Sequence, residues 1–315
     1  MLIKTSPGME LDSAALLGPA TGVQEDDVRA LAHQFAGLAA KLRAGCDGQS
    51  PAFVHLPYRD DTGVIFARAT RIATRYARTV VFGIGGSSLG GETLVHCLGN
   101  PKHPIRFFDN IDPTTLAELD TVDWTTTALI VISKSGETAE TLAQFLSLLP
   151  RLETLLGKSL HEHVTVISEN PAGALWQLAT ALGLEVIPHP PVGGRFSALS
   201  VVGLLPAAIA GVDIAAVLAG ARAMVERCMN EHIDSNPAFF QAAAQYLHAQ
   251  RGRRICVFMP YVDRLRPLGL WYRQLLGESL GKLDRAGKAQ GLTPTTSLGV
   301  TDQHSQLQLY LDGPD

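Results

Sequence analysis

The chain is short of most features that would mark a secreted, membrane-bound or nucleic-acid-binding protein. Cysteine is scarce: Cys46, Cys97, Cys228 and Cys256 lie far apart, with no C-x-x-C pair and no spacing of a disulfide framework, which fits a reducing cytosol. Neither sign of charge dominates, since 26 Lys and Arg stand against 30 Asp and Glu for a net charge of -4. With aromatics at only 6% and no basic patch interleaved with them, nucleic acid is excluded as a partner. The N-terminus breaks its apolar character at Lys4, Pro7 and Glu10, so it does not read as a signal peptide, and a cytoplasmic location is expected. The one long apolar stretch, Leu199 to Val225, is interrupted by Pro206 and Gly211, and Asp213 stands where an N-cap would start a second segment. It reads as two buried helices separated by a short turn rather than a membrane span.

What is present is enough for sizeable cores: 315 residues, 46% hydrophobic and 18% charged. Residues 13–45 carry apolar positions at helical spacing, among them Val28, Leu31, Phe35, Leu38 and Leu42, and form an expected helical N-terminal region. From about residue 78 short β-rich runs alternate with helical stretches: 79–82, 105–109, 128–133, 164–168 and 185–187. Such alternation predicts an α/β fold with a parallel sheet covered on both faces, whose ligands bind beyond the carboxyl ends of the strands. A further strand-like run at 254–260 restarts the pattern. The segment "HEH" at 161–163 precedes a strand without further ligands and reads as a surface segment, not a metal site.

Two loops fall at the predicted carboxyl edge. The first lies in "VVFGIGGSSLGGETL", Val80 to Leu94, where a strand meets a glycine turn and a helix start, an arrangement that converges N–H groups on an anion. The dinucleotide fingerprint fails, because Ser88 stands where G-x-G-x-x-G needs its third glycine, and no lysine follows Gly90 or Gly91 as a Walker loop requires. The second loop, "SKSGET", offers hydroxyls at Ser133, Ser135 and Thr138 and a cation at Lys134 before a helix. A ligand-free turn and simple helix capping are the alternative readings of each loop alone. Together the two are sized for one phosphate.

Further segments accompany these loops in order: "VGGRFSALS" (192–200), "QLLGESLGK" (274–282) and "TDQHSQLQLYLDG" (301–313) follow the two phosphate loops along the chain. This ordered set closely resembles the phosphoglucose isomerase family. The resemblance implies two sugar-isomerase (SIS) type parallel-sheet αβα sandwich domains with flanking helices. The expected division is a helical region at 1–72, a first SIS domain at 73–190, connecting buried helices at 191–250 and a second, incomplete SIS domain at 251–315. It implies interconversion of glucose 6-phosphate and fructose 6-phosphate through ring opening and a cis-enediolate, in glycolysis and gluconeogenesis, with no metal or organic cofactor.

Residue by residue, the resemblance makes Gly86, Ser87, Ser133, Lys134, Ser135 and Thr138 the phosphate cradle, with Gly194 and Gln274 also against the substrate. Glu278 matches the family's base, Arg195 the cation that stabilises the enediolate, and His304 the ring-opening histidine oriented by Glu140. In the family that histidine comes from the partner subunit, which implies a homodimer. Two departures stand out. Pro190 and Pro191 occupy places where a polar or acidic residue commonly precedes the glycine-arginine motif, and the family's C-terminal lysine motif has no counterpart up to residue 315, so a longer natural chain is expected. A sugar-phosphate-binding regulator of the same fold and an isomerase that also takes mannose 6-phosphate are the rival readings.

Overall fold

A computed structural model describes residues 2–6, 9–44, 52–100 and 103–313. Pro7, Cys46 and the side chains of Lys4 and Leu42 lie outside that description. The chain opens with strands β1 (Leu2–Ser6) and β2 (Met9–Asp12), followed by helices α1 (Glu25–Ala30), α2 (Ala32–Ala44) and α3 (Thr62–Arg75). Alternation then begins with β3 (Arg78–Phe82), α4 (Leu89–Leu98), β4 (Ile105–Phe108), α5 (Pro113–Leu116) and β5 (Thr127–Ile132). It continues through α6 (Ala139–Leu156), α7 (Leu160–His163), β6 (Val164–Ser168), α8 (Ala174–Ala181) and β7 (Glu185–Pro188). Helices α9 (Val201–Ile209), α10 (Ile214–Cys228) and α11 (Pro237–Gln250) lead to β8 (Ile255–Phe258) and α12 (Arg266–Leu280). Short strands β9 (Lys282–Leu283) and β10 (Ala289–Gln290), then β11 (Thr293–Thr296) and α13 (Leu307–Asp312), complete the order.

Five strands make one sheet in the order β4-β3-β5-β6-β7, and every neighbouring pair is parallel. The central strand β5 is buried at all six positions, as a strand covered on both faces must be. Alternation divides the sheet's side chains between two cores. Val81, Ile130, Ile132 and Ile167 join α3 and α9 on one face, whereas Val80, Phe82, Leu129, Val131 and Val166 join α6 and α8 on the other. A separate two-stranded parallel pair, β8 with β11, carries α12 against it. Gly269 lets that helix approach closely, because a Cβ there would lie 3.2 Å from Thr296 Cγ2.

The expected strands at 79–82, 105–109, 128–133, 164–168 and 185–187 correspond to β3 to β7 within a residue at each end. Other expectations need correction. The N-terminal region begins with an antiparallel hairpin rather than helix, pairing Ile3 with Leu11 and Lys4 with Glu10. In α2 the apolar position Leu38 is 52% exposed, and the small Ala39 beside it is the buried contact. Pro206 does not break its helix but sits inside α9, where the residue's missing N–H removes one bond to Val202 without ending the turn. Gly211, with φ +79°, and the Asp213 cap, which accepts from Ala216 N–H at 3.0 Å, end one helix and start the next. Helix α9 is almost wholly buried, but α10 buries only Ile214 and Leu218 and turns its other face outward. His163 of "HEH" is also buried, its Nδ1 3.1 Å from Thr127 O and its ring against Tyr76, while His161 stays exposed. Among the described residues no cluster could hold a metal ion, and no helix is long and apolar enough to cross a membrane.

Candidate functional site

The glycine loop leaves the carboxyl end of β3 and turns through a 3-10 segment, Gly85–Ser87, into α4. Gly85 has φ +56°, a conformation that disfavours a side chain. Gly86 is required for a different reason: a Cβ there would stand 2.1 Å from Gly194 C and 2.6 Å from Arg195 N. The missing side chain is what lets the Gly194–Arg195 peptide lie directly on the loop. Ser197 fastens the two, its hydroxyl 2.7 Å from Gly194 O and 3.1 Å from Gly86 O.

Arg195 projects from this junction toward α12. Its Nε donates to Ser279 Oγ at 2.9 Å, its Nη1 lies 3.3 Å from Glu278 Oε2, and its guanidinium covers the Phe196 ring at 4.4 Å. Phe53 also stacks on that ring, with centroids 4.6 Å apart. The Arg195 carbonyl accepts the Trp271 indole N–H at 2.9 Å. One helical turn before Glu278, Gln274 donates from Nε2 to Glu278 Oε1 at 2.9 Å, as the four-residue spacing on one face permits. The same Nε2 would lie 3.0 Å from a Cβ on Gly85, so the glutamine reaches the glycine loop as well. Glu278 thus has one oxygen on an amide and the other beside a cation, while its side chain is 51% exposed against 22% for Arg195. A carboxylate so oriented and still open to solvent is in a position to exchange a proton with a bound molecule.

The second loop follows β5, the strand beside β3, and so stands at the same carboxyl edge. Ser133 is fully buried, its Oγ 2.9 Å from Thr138 Oγ1 and accepting the Gly136 N–H at 3.1 Å. The Ser135 hydroxyl accepts Glu137 N–H at 3.1 Å, and Lys134 pairs with Glu169 at 3.3 Å. These hydroxyls therefore brace the loop, with Ser135 exposed and Thr138 half-buried at the first turn of α6. Glu140 lies one residue pair further along α6, half-buried. His304 is exposed in the 3-10 turn Thr301–His304, and no hydrogen bond or ion pair joins it to Glu140 or Glu278 within the chain.

The residues brought into contact are thus Gly86, Gly194, Arg195, Gln274 and Glu278, with Ser87 on the same turn. Sequence reasoning missed Ser197, Ser279 and Trp271, each of which holds this group through a contact between distant parts of the chain. Gln274 Oε1 and Ser88 Oγ are buried without a partner on the same side of the molecule, polar atoms left over beside the loop. Glu92, in the first turn of α4, has its carboxyl pushed up by burial and by the nearby Asp109 charge.

A parallel α/β sheet with paired loops at its carboxyl edge and a braced carboxylate facing them defines the structural class, and comparison with known proteins gives the family. Residues 70–314 match the family model described as phosphoglucose isomerase. The glucose-6-phosphate isomerase of Carboxydothermus hydrogenoformans is 41% identical over 310 residues, covering 92% of this chain and 66% of that protein. That of Rubrobacter xylanophilus is 42% identical over 279 residues, covering 84% and 63%. Among solved structures, a hypothetical protein from Thermus thermophilus aligns with a TM-score of 0.84 at 34% identity, over 92% of this chain and 70% of that one. The chain belongs to the phosphoglucose isomerase family. It spans slightly less than two thirds of the length of the two relatives named.

Proposed function

We propose that the chain supplies the proton-transfer centre of a glucose-6-phosphate isomerase, interconverting glucose 6-phosphate and fructose 6-phosphate. The observation that carries this reading is the Glu278 carboxylate, held by Gln274 at 2.9 Å and Arg195 at 3.3 Å beside the glycine loop. In the open-chain aldose, Glu278 takes the proton from C2, and the electron pair forms a cis-enediolate. The same carboxyl returns the proton to C1 while the hydroxyl proton passes from O2 to O1, which leaves the carbonyl at C2 with no net change in atoms or electrons. Arg195 faces the oxygens on which negative charge grows. The Gly86 N–H and the Ser87 hydroxyl, with the loop of Lys134, Ser135 and Thr138 that Ser133 braces from within, receive the phosphate.

Ring opening is assigned to His304, oriented by Glu140. The exposure of His304, with no bond to Glu140 or Glu278 within one chain, supports reading it as the histidine that one copy gives to the site of the other in a homodimer. A reducing cytosol belongs to the same reading, supported by Cys97, Cys228 and Cys256 standing free.

A coupled assay of fructose 6-phosphate conversion tests the proposal, with mannose 6-phosphate run beside it to define the substrate range. Glu278→Gln is expected to retain binding of the sugar phosphate and lose at least about 10²-fold in kcat. Exchange of the C2 proton with solvent deuterium at the parental rate in that variant would remove Glu278 from the role of base.

A further inference from the structure

The segment that delivers Gly194 and Arg195 contains an imidazole that the proposed chemistry does not use. His189 follows β7 directly and is 2% exposed. Its backbone N–H donates to Ser168 O at 2.8 Å, extending the sheet ladder by one residue. Its Nδ1 lies 2.6 Å from Pro190 O, and that carbonyl also accepts Val192 N–H at 2.7 Å. A carbonyl only accepts, so Nδ1 carries the ring proton and Nε2 is left as a bare acceptor. Nε2 is buried and has no partner. Lys134 and Glu169 are the charged groups close to the ring.

Three of the five residues from Pro188 to Val192 are prolines and have no N–H. The donors left to this stretch are the N–H groups of His189 and Val192 and the imidazole itself. The first continues the sheet, and the other two converge on Pro190 O. Beyond that point come Gly193 and Gly194, which add no side chain to hold the path, and then Arg195. Ser197, Trp271 and Ser279 hold the far side of this junction, and on its approach from β7 the path to Arg195 is set by a carbonyl clamped from two sides, one of them a side chain whose second nitrogen is buried unbonded.

We propose that His189 is a positioning residue for Arg195: through Nδ1–H it fixes the Pro190 carbonyl, and so sets the approach of the Gly194–Arg195 peptide to Gly86 and of the guanidinium to Glu278. The kinetic part of this inference rests on the isomerase reading above. The structural part does not, because Trp271 bonds the Arg195 carbonyl and reports its position independently.

The test compares three replacements. Asparagine carries an amide near the place of Nδ1, glutamine carries one near the place of Nε2, and alanine carries neither. In the fructose 6-phosphate assay His189→Ala is expected to lower kcat about tenfold with KM changed by less than about threefold, since Lys134, the phosphate-loop residue near the ring, keeps its pairing with Glu169. His189→Asn restores kcat to within about threefold of the parent, and His189→Gln does not. In the full chain labelled with 5-fluorotryptophan, the Trp271 fluorine resonance, assigned by Trp271→Phe, moves in the Ala and Gln variants and returns in the Asn variant. If His189→Ala fails to fold, the contrast between Asn and Gln decides alone. An unmoved Trp271 resonance in Ala and Gln, or equal behaviour of Asn and Gln in both measurements, overturns the inference. If the parent itself converts no fructose 6-phosphate, the isomerase reading falls, and the fluorine resonances still decide for or against the role of His189.

Discussion

The five-stranded sheet and the β8–β11 pair follow the same parallel rule but differ in burial. In the first, β5 is covered on both faces and its six residues are all buried. In the second, Ile255 of β8 is 58% exposed and no position of either strand is fully buried. The difference follows from neighbours: β5 has strands on both sides and helices above and below, whereas β8 and β11 have one strand neighbour each and α12 across them. The candidate site joins the two regions. Its backbone donors and Arg195 belong with the first sheet, and Gln274 and Glu278 ride on the helix of the second pair. A rigid platform thus holds the arginine, and a more exposed element brings the carboxylate to it.

The largest effect is expected where the platform itself is built. Gly86→Ala would place a Cβ at 2.1 Å from Gly194 C, a backbone atom that has no rotamer to escape into. The Gly194–Arg195 peptide must move away, and the isomerase assay should fall by at least about 10²-fold. Far-UV circular dichroism should stay unchanged, because the strand and helix on either side are not strained. A control on the exposed face of α10, Gly220→Ala, meets nothing within 4 Å and should raise stability by up to about 1 kcal/mol. Equal activity of the two variants would show that the close approach at Gly86 does not matter.

The burial contrast is tested by truncating one isoleucine in each region. Ile130 is wholly buried between β3 and β6, and Ile130→Ala should cost about 2–5 kcal/mol by denaturant unfolding, from lost apolar burial and the cavity left behind. Ile255→Ala removes a side chain that is mostly in water already and should stay within about 0.5 kcal/mol. Comparable losses at both positions would mean that the β8 face is covered in solution, and the contrast between the regions would have to be redrawn.

The platform was more legible in the sequence than the junction. Runs such as "ALIVIS" announce a buried strand by themselves, since β-branched residues on both faces need no knowledge of the rest of the chain. The pairing of Gln274 with Glu278 was readable too, because a helix fixes which residues share a face. Strands β1 and β2 are short and carry a weaker pattern, and the Pro7-Gly8 dipeptide between them is the one local turn signal that could have marked the hairpin. Ser197, Ser279 and Trp271 show the other limit: each acts through a bond between segments that are remote in sequence, and nothing local distinguishes them. Ser133 shows a third. Its hydroxyl reads as a donor for phosphate, but in the folded loop it is buried and bonded to Thr138 and Gly136.

The smallest expected effects concern pH, and one buried group in each region marks a direction in which it is weakened. Burial holds the His189 imidazole below its ordinary range, and the nearby Lys134 charge adds to this against the Pro190 bond and Glu169, which act the other way. The unfolded chain then takes up a proton near pH 6.5 that the folded chain refuses, so stability declines as pH falls below about 6.5 and stops declining once the folded imidazole is protonated too. Burial lowers His96 and His103 in the same way, so His189→Gln should remove only its own share of this acid limb. In the second region burial, with the Cys256 thiol bonded to the same oxygen, pushes the Tyr272 phenol up to about 12. Above pH 10 the unfolded phenol ionises while the folded one keeps its proton, so stability falls as pH rises between about 10 and 12. Burial also raises the Tyr76 phenol beside the first sheet, so tyrosinate absorbance should show late ionisation from both, of which Tyr272→Phe removes its own part, and the same variant should lessen the alkaline loss of stability without touching the acid limb. If Tyr272→Phe flattens the acid limb, or His189→Gln the alkaline one, the two regions unfold as one electrostatic unit and their separation by pH is lost.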